Sequence, residues 1–153
     1  MKTSFARGFT LIELVVVITI LGILAAFAVP RFISLETQAR AATVNSLAGS
    51  VRSAASLARG MAMATAATAS VPMEGNTVNL VNSYPDAGAT GISNALSPIS
   101  STDFTFTPGA PVSTGTAKWS KVGATTPANC LVTYIPAASA GAAPTIAVDT
   151  SGC

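Results

Sequence analysis

A single acidic residue, Glu13, lies near the start of a long run of apolar residues. The run covers about residues 9–29, which is long enough to cross a bilayer as a helix. An acidic residue at the centre of such a helix costs about 2.5–3.5 kcal/mol on insertion scales, so its presence usually marks a site with a partner. No basic residue lies within reach of Glu13 inside the run. Glu13 therefore indicates a site that needs a cation from elsewhere.

Proteolysis between Gly8 and Phe9 would supply that cation. The cut would free an α-amino group four residues before Glu13, a near neighbour on one helix. The amine could instead pair with the Glu13 of an adjacent subunit. In either arrangement the carboxylate is neutralised only after the cut. Residues 1–8 are polar and basic, with Lys2 and Arg7 ahead of the apolar run, as expected of a leader.

Two other interpretations of this segment stay open. The run could be an ordinary secretory signal, because Ala26-Phe27-Ala28 resembles a small-x-small cleavage site. Glu13 and the nearby Pro30 argue against that interpretation. The run could also be a plain membrane anchor, with Lys2 and Arg7 holding the N-terminus in the cytoplasm.

The elements that would position Glu13 are predicted to form one long helix. Residues 31–61 continue the apolar run as an amphipathic helix, with apolar residues at steps of three and four: Val44, Leu47, Val51, Ala54, Ala58 and Met61. Upstream, Phe32, Leu35, Ala39 and Ala42 keep the same rhythm, with a slip near Thr43, and Gly60 is the predicted end. Gly22 and Pro30 fall inside this helix, where we expect a kink or a short melted stretch rather than a boundary.

Residues 62–153 are rich in Ala, Ser, Thr, Gly and Pro and contain short β-type segments. The predicted strands cover residues 77–81, 104–107, 117–122, 130–135 and 145–148, and one predicted turn is Tyr84-Pro85-Asp86. An antiparallel sheet on the amphipathic half of the helix would bury both apolar faces. The predicted fold class is α+β, with zones at 1–8, 9–30, 31–61 and 62–153.

Composition excludes several classes of protein. Only 9% of residues are charged, and without Lys2 and Arg7 six basic residues face six acidic ones. This balance lacks the basic footprint of a nucleic-acid binder, so we expect no nucleic-acid partner. The sequence contains no His, which rules out a His base and His-ligated metal sites. We expect no catalytic residues, no metal and no cofactor.

The two cysteines, Cys130 and Cys153, both lie near the C-terminal end of the sequence. They are either two free thiols or one disulfide. An export signal upstream favours the disulfide. Closing a loop of this length would contribute about 3 kcal/mol and would hold the tail in place.

The segment from Arg7 to Leu14, RGFTLIEL, and its continuation VVVITILGILAAFAVP closely resemble the processing site and N-terminal helix of type IV pilins. The resemblance is contiguous over roughly residues 8–30. It implies that prepilin peptidase cuts after Gly8, that Phe9 becomes an N-methylated N-terminus, and that Glu13 helps to recruit each subunit into a filament. The eight-residue leader resembles the type IVa subclass. The resemblance also implies a long helix carrying an antiparallel sheet head, with a C-terminal disulfide.

A narrower resemblance concerns the head. The stretch ARAATVNSLAGSVRSAASLARG, the segment Asn82-Ser83-Tyr84-Pro85 and the ending TSGC are similar to mannose-sensitive haemagglutinin-type major pilins. The resemblance implies a structural subunit of a helical homopolymer, not an enzyme, that serves surface adhesion or motility. Its partners would be prepilin peptidase and an inner-membrane platform with an ATPase. The precursor would reside in the inner membrane and the filament outside the cell. A pseudopilin of type II secretion and a membrane-tethered adhesin that never polymerises remain alternatives.

Overall fold

The computed structural model describes residues 8–96 and 98–153, and within them the side chains of residues 29–34 are not described. Of the predicted leader, residues 1–7 lie outside the described residues. The chain divides into two compact units, Met1–Glu36 and Thr37–Cys153. One long helix, α1 (Leu11–Thr65), contributes to both. Seven strands follow it: β1 Ser70–Met73, β2 Asn76–Val81, β3 Tyr84–Pro85, β4 Phe104–Thr107, β5 Ala117–Lys121, β6 Leu131–Ile135 and β7 Thr145–Asp149.

In the first unit, α1 is long and apolar enough at Leu11–Ala28 to cross a membrane by length and composition. The side chains of this stretch, apart from a partly exposed Ala28, are exposed. Aliphatic side chains that face water in the isolated chain favour burial in lipid or against other chains, at about 25 cal/mol per Å² of apolar surface. The prediction of a membrane-length apolar helix is confirmed.

The helix is continuous through Gly22 and Pro30. A melted stretch between these residues is therefore not present in the backbone. Proline removes one backbone donor and crowds the preceding turn, so a bend of the axis stays our prediction for this region.

The end of α1 differs from the prediction, because the helix passes through Gly60 and ends at Thr65. Ala62 continues the buried stripe and is only 2% exposed, so packing outweighs the modest helix penalty of glycine. Ala66 then adopts a left-handed conformation with φ of 52°. The N–H of Ala67 donates to the carbonyl of Ala62 at 2.9 Å, which is the bond of a Schellman cap.

In the second unit, the predicted apolar stripe of α1 forms the core of the head. The buried helix residues are Val44, Leu47, Ala48, Val51, Ala54, Ala55, Ala58 and Ala62. Met61, which we placed in this stripe, is only partly buried. Leu35, Ala39 and Ala42 were expected to continue the apolar face upstream, but all three are exposed. The side chain of Phe32, which belongs to the same prediction, lies outside the described residues. Burial by the head therefore begins near Ala41, which packs against the core.

The strands form two antiparallel sheets, with orders β1-β2-β3 and β4-β5-β6-β7. The five predicted strands correspond to β2 and β4–β7 within one residue at each end, so the α+β fold class is confirmed. The prediction missed β1, which contains Pro72 and pairs on one side only, with β2. A short edge strand containing proline carries a weak sequence signal.

The first sheet turns at two tight hairpins that were also missed. Glu74 and Gly75 connect β1 to β2 with φ of 46° and 83°, and Asn82 and Ser83 connect β2 to β3 with φ of 51° and 68°. Two successive positive φ angles define the two-residue turn that matches strand twist. Our prediction of a turn at Tyr84-Pro85-Asp86 was wrong, because the chain has already turned and Tyr84 pairs with Val81 as β3.

The second sheet places its apolar face on the helix. Trp119 on β5 pairs with Phe106 on β4 and with Val132 on β6, and the Phe106 and Trp119 rings lie 5.0 Å apart. Trp119 is 1% exposed and is therefore a core residue. Across the core the hydroxyl of Tyr134 donates to the carbonyl of Pro85 at 2.6 Å, which ties the two sheets together.

Candidate functional site

The predicted cleavage bond lies just ahead of the helix. Gly8 and Phe9 have no regular secondary structure and both are exposed, and α1 begins two residues later at Leu11. A Cβ built on Gly8 would meet no atom of the described chain within 4 Å. The fold of this segment therefore does not require glycine at position 8. A requirement for glycine would have to come from another protein that recognises the Gly8–Phe9 bond.

Glu13 lies in the first turn of α1 and forms a capping box with Thr10. The backbone N–H and the hydroxyl of Thr10 both donate to Oε2 of Glu13, at 2.9 and 2.6 Å. In return the N–H of Glu13 donates to the Thr10 hydroxyl oxygen at 3.3 Å. The pair satisfies two backbone donors that the start of a helix would leave without a partner. These bonds hold the Glu13 carboxylate in one orientation.

The surroundings of Glu13 are apolar. A shallow notch of about 340 Å³ is lined by Phe9, Ile12, Glu13, Val16 and Val17. Phe9 and Ile12 are 77% and 70% exposed. A carboxylate beside such a surface becomes costly when the surface is covered, unless a cation is covered with it. The structure therefore brings the predicted cleavage bond, the predicted N-terminal residue and the glutamate into one short segment.

The predicted cysteine pair forms a disulfide, Cys130–Cys153, which closes a separation of 23 residues. Both cysteines are buried in the main core of the head. The guanidinium of Arg40 on α1 donates to the carbonyl of Cys153 at 2.9 Å. The disulfide and this hydrogen bond fix the chain end against both the sheet and the helix.

Nearby, Asp149 accepts hydrogen bonds at Oδ1 from the N–H and the hydroxyl of Ser151, at 2.9 and 2.7 Å. These bonds favour the charged form and lower the pKa of the Asp149 carboxyl below its usual value. They shape the turn that leads from β7 to Cys153. The Asp149 carboxylate therefore stabilises the local structure of the segment between β7 and Cys153.

Sequence reasoning missed three of these residues. Thr10 was not singled out, although threonine three residues before glutamate at the start of an apolar run is the sequence signature of a capping box. The contacts of Arg40 with Cys153 and of Arg59 with Tyr84 were not predicted, because these partners are distant in sequence. Arg59 donates to the hydroxyl of Tyr84 and lies 4.8 Å from the centre of the same ring.

In the part of the chain that the structure describes, no three or more Cys, Asp or Glu residues lie close enough together to hold a metal ion. Two grooves of the head, of about 550 and 640 Å³, share Leu96, Pro98 and Ile99. Neither groove is lined by a charged residue. Asp86 is the buried acidic residue of the head, and its Oδ1 accepts from the N–H of Gly88 at 2.7 Å. That bond stabilises a turn.

Comparison with known proteins identifies the same N-terminal segment. The prokaryotic N-terminal methylation motif matches residues 4–29. This stretch contains the predicted cleavage bond, the capping box and most of the apolar helix. It covers a small part of the chain and says nothing about the head.

Relatives extend the similarity further along the chain. The sequence is 44% identical over 97 residues to the type IV narrow pilus major component PilA5 of Thermus thermophilus, covering 63% of this chain and 75% of that protein. It is 56% identical over 34 residues to the type IV major pilin protein PilA of Myxococcus xanthus, covering 22% and 16%. It is 43% identical over 51 residues to a type IV major fimbrial protein FimA of Dichelobacter nodosus, covering 33% of each. No solved structure matches.

Proposed function

This chain belongs to the type IV pilins, and we propose that it is the precursor of a filament subunit whose N-terminal helix drives polymerisation. Its relatives are structural subunits of pili. The finer steps proposed here are cleavage after Gly8, methylation of the new Phe9 amine, and assembly through Glu13. The filament would serve surface adhesion or motility.

Cleavage is supported by the accessibility of the bond. Gly8 and Phe9 are exposed and precede the helix, so a peptidase could bind the segment in extended form without unwinding α1. The product amine would lie at the start of the apolar helix, four residues before Glu13. Prepilin peptidase is the proposed enzyme, and residues 1–8 are the proposed leader.

Assembly is supported by the exposed apolar surface of the helix. Before assembly, Leu11–Ala28 would lie in the inner membrane with the head in the periplasm. In the filament, helices from many copies would cover one another's apolar side chains. Gly22 and the alanines of this stretch, Ala25, Ala26 and Ala28, would allow close helix approach. Identical subunits stacked without closure give a helical fibre.

Glu13 would set the axial position of each incoming subunit. A carboxylate in an apolar bundle needs a cation, and the freed Phe9 amine of a neighbouring copy is the proposed partner. An incorrect stagger would leave Glu13 buried without that partner. The observation that carries this proposal is one acidic side chain, already oriented, on an otherwise exposed apolar helix. Extraction from the membrane would need a platform and an ATPase supplied by other chains.

The test replaces Glu13 with alanine and compares filament yield with processing. Glu13→Ala removes the carboxylate but leaves the Phe9 ammonium of the neighbouring copy buried without an anion, at a cost of about 3 kcal/mol or more, so subunit docking should fall by about 100-fold. We expect Glu13→Ala to lose its leader normally, as the mass of the subunit will show, but to give almost no sheared filament. Glu74→Gln is the control, because Glu74 is an exposed acid at a hairpin tip of the head.

Wild-type filament levels in Glu13→Ala would contradict the proposed role of the glutamate. Absence of filaments from the wild-type strain, with the chain present on the cell, would favour the membrane-tethered adhesin instead. Electron microscopy of sheared surface material separates these outcomes.

A further inference from the structure

We infer that Thr10 is a positioning residue for filament assembly, because its hydroxyl holds the Glu13 carboxylate in the orientation that receives the amine of a second copy. This inference rests on the proposed pairing of Glu13. It adds a requirement that the pairing alone does not contain: the glutamate must be held by its own chain before docking.

The hydrogen bonds from Thr10 use only one of the two oxygens of the Glu13 carboxylate. Both donors of Thr10, the N–H and the hydroxyl, bind the same oxygen, Oε2 of Glu13, at 2.9 and 2.6 Å. Between the described residues, Oε2 is the Glu13 oxygen that accepts these hydrogen bonds, so Oε1 is available to a further donor. One carboxylate can therefore keep its intrachain partner and accept an ammonium group at the same time, since it has about four acceptor positions.

The arrangement also survives the proposed cleavage. A cut between Gly8 and Phe9 leaves the peptide bond between Phe9 and Thr10 intact, so the Thr10 N–H is still available. Methylation of the Phe9 amine does not alter the Thr10 hydroxyl. The same two bonds would hold Glu13 in the precursor, in the processed subunit in the membrane, and in the filament.

Two effects follow for docking. Before docking, while the helix lies in an apolar environment, the Thr10 hydroxyl gives the Glu13 carboxylate one hydrogen-bond donor and so lowers the cost of its burial. It also restricts the glutamate rotamers, so less conformational freedom is lost when the second copy binds. Removing the hydroxyl should therefore slow or weaken assembly without affecting the cut.

The experiment uses four variants of the full-length chain, expressed in the strain that makes the filament. Thr10→Val removes the hydroxyl with little change of shape. Thr10→Gly also removes it, but glycine caps a helix about as well as threonine does. Thr10→Ser keeps the hydroxyl. Thr19→Val is the matched control, because the Thr19 hydroxyl donates to the carbonyl of Val16 at 2.8 Å and does not contact Glu13.

We expect Thr10→Val and Thr10→Gly to be processed normally but to yield about tenfold less filament, a factor that corresponds to about 1.4 kcal/mol of docking free energy. Thr10→Ser and Thr19→Val should give wild-type yields. Wild-type yield from Thr10→Gly would overturn the inference and leave helix capping as the only role of Thr10. Low yield from Thr10→Ser would overturn it as well. Normal yield from Glu13→Ala would instead refute the proposed pairing of Glu13, on which this inference rests.

Discussion

Removal of the disulfide between Cys130 and Cys153 gives a quantitative test of how the head is stabilised. The bond closes a separation of 23 residues. The chain-entropy relation for a loop of that length gives about 3 kcal/mol of stabilisation at 25 °C. The cysteines are 0% and 3% exposed, so their replacement by alanine also removes buried contacts. We therefore expect a loss of at least about 3 kcal/mol in the free energy of unfolding.

Urea unfolding of the full-length chain in detergent measures this loss. Trp119 is the only tryptophan of the sequence and is 1% exposed, so its fluorescence reports unfolding of the head. With a urea dependence of about 1–3 kcal/mol per M, the midpoint should fall by about 1–3 M. Reduced wild type and the Cys130→Ala/Cys153→Ala variant should both show this fall, and reductant should not affect the variant. An unchanged midpoint in fully reduced wild type would refute the reasoning.

Two further predictions concern Tyr134 and Gly8. Tyr134→Phe should cost about 1–3 kcal/mol of stability, because the buried carbonyl of Pro85 loses its donor. Burial and the nearby Asp86 raise the pKa of Tyr134 above its usual value of 10.0, so the unfolded chain loses this proton first. Stability from this group is therefore complete below about pH 10 and is lost at higher pH, a slope that Tyr134→Phe should remove. Gly8→Val should leave full-length precursor in the membrane with a normally folded head, because no atom of the described chain contacts a Cβ at position 8; a processed mass would contradict this.

The sequence predicted those parts of the fold that depend on local periodicity. Val44, Leu47 and Val51 repeat at steps of three and four, and all three are buried. Phe104 and Trp119, each on a strand with alternating side chains, are also in the core. Patterns of this kind predict which face of an element is apolar.

Periodic patterns do not predict whether another part of the chain covers the apolar face of an element. Leu35, Ala39 and Ala42 continue the apolar rhythm of α1, yet they are exposed because the head begins to pack only at Ala41. The helix also passed Gly60, because burial of Ala62 outweighed a local stop signal. In both regions tertiary packing decided the outcome.

The first sheet was the weakest prediction. Its strands are short, β1 contains Pro72, and β3 has two residues. The strand Tyr84–Pro85 forms because Tyr84 lies against Arg59 and because Pro85 accepts a hydrogen bond from Tyr134. These contacts join residues 25 and 49 positions apart, which local patterns do not record.

For the site, residue types in the sequence were enough to propose Glu13, Gly8 and the cysteine pair as candidates, because a lone acid in an apolar helix and two late cysteines are unusual. The structure contains the disulfide, and the roles of Glu13 and Gly8 stay predictions. The orientation of Glu13 by Thr10 required the structure, although the spacing of the two residues was visible in the sequence.

The most direct test of the assembly proposal is the intact mass of the subunit taken from purified surface filaments, together with its N-terminal residue. We expect long filaments built from a chain that begins with methylated Phe9 and retains the whole apolar helix. A secreted chain that begins near Val29, with residues 9–28 discarded, would contradict it.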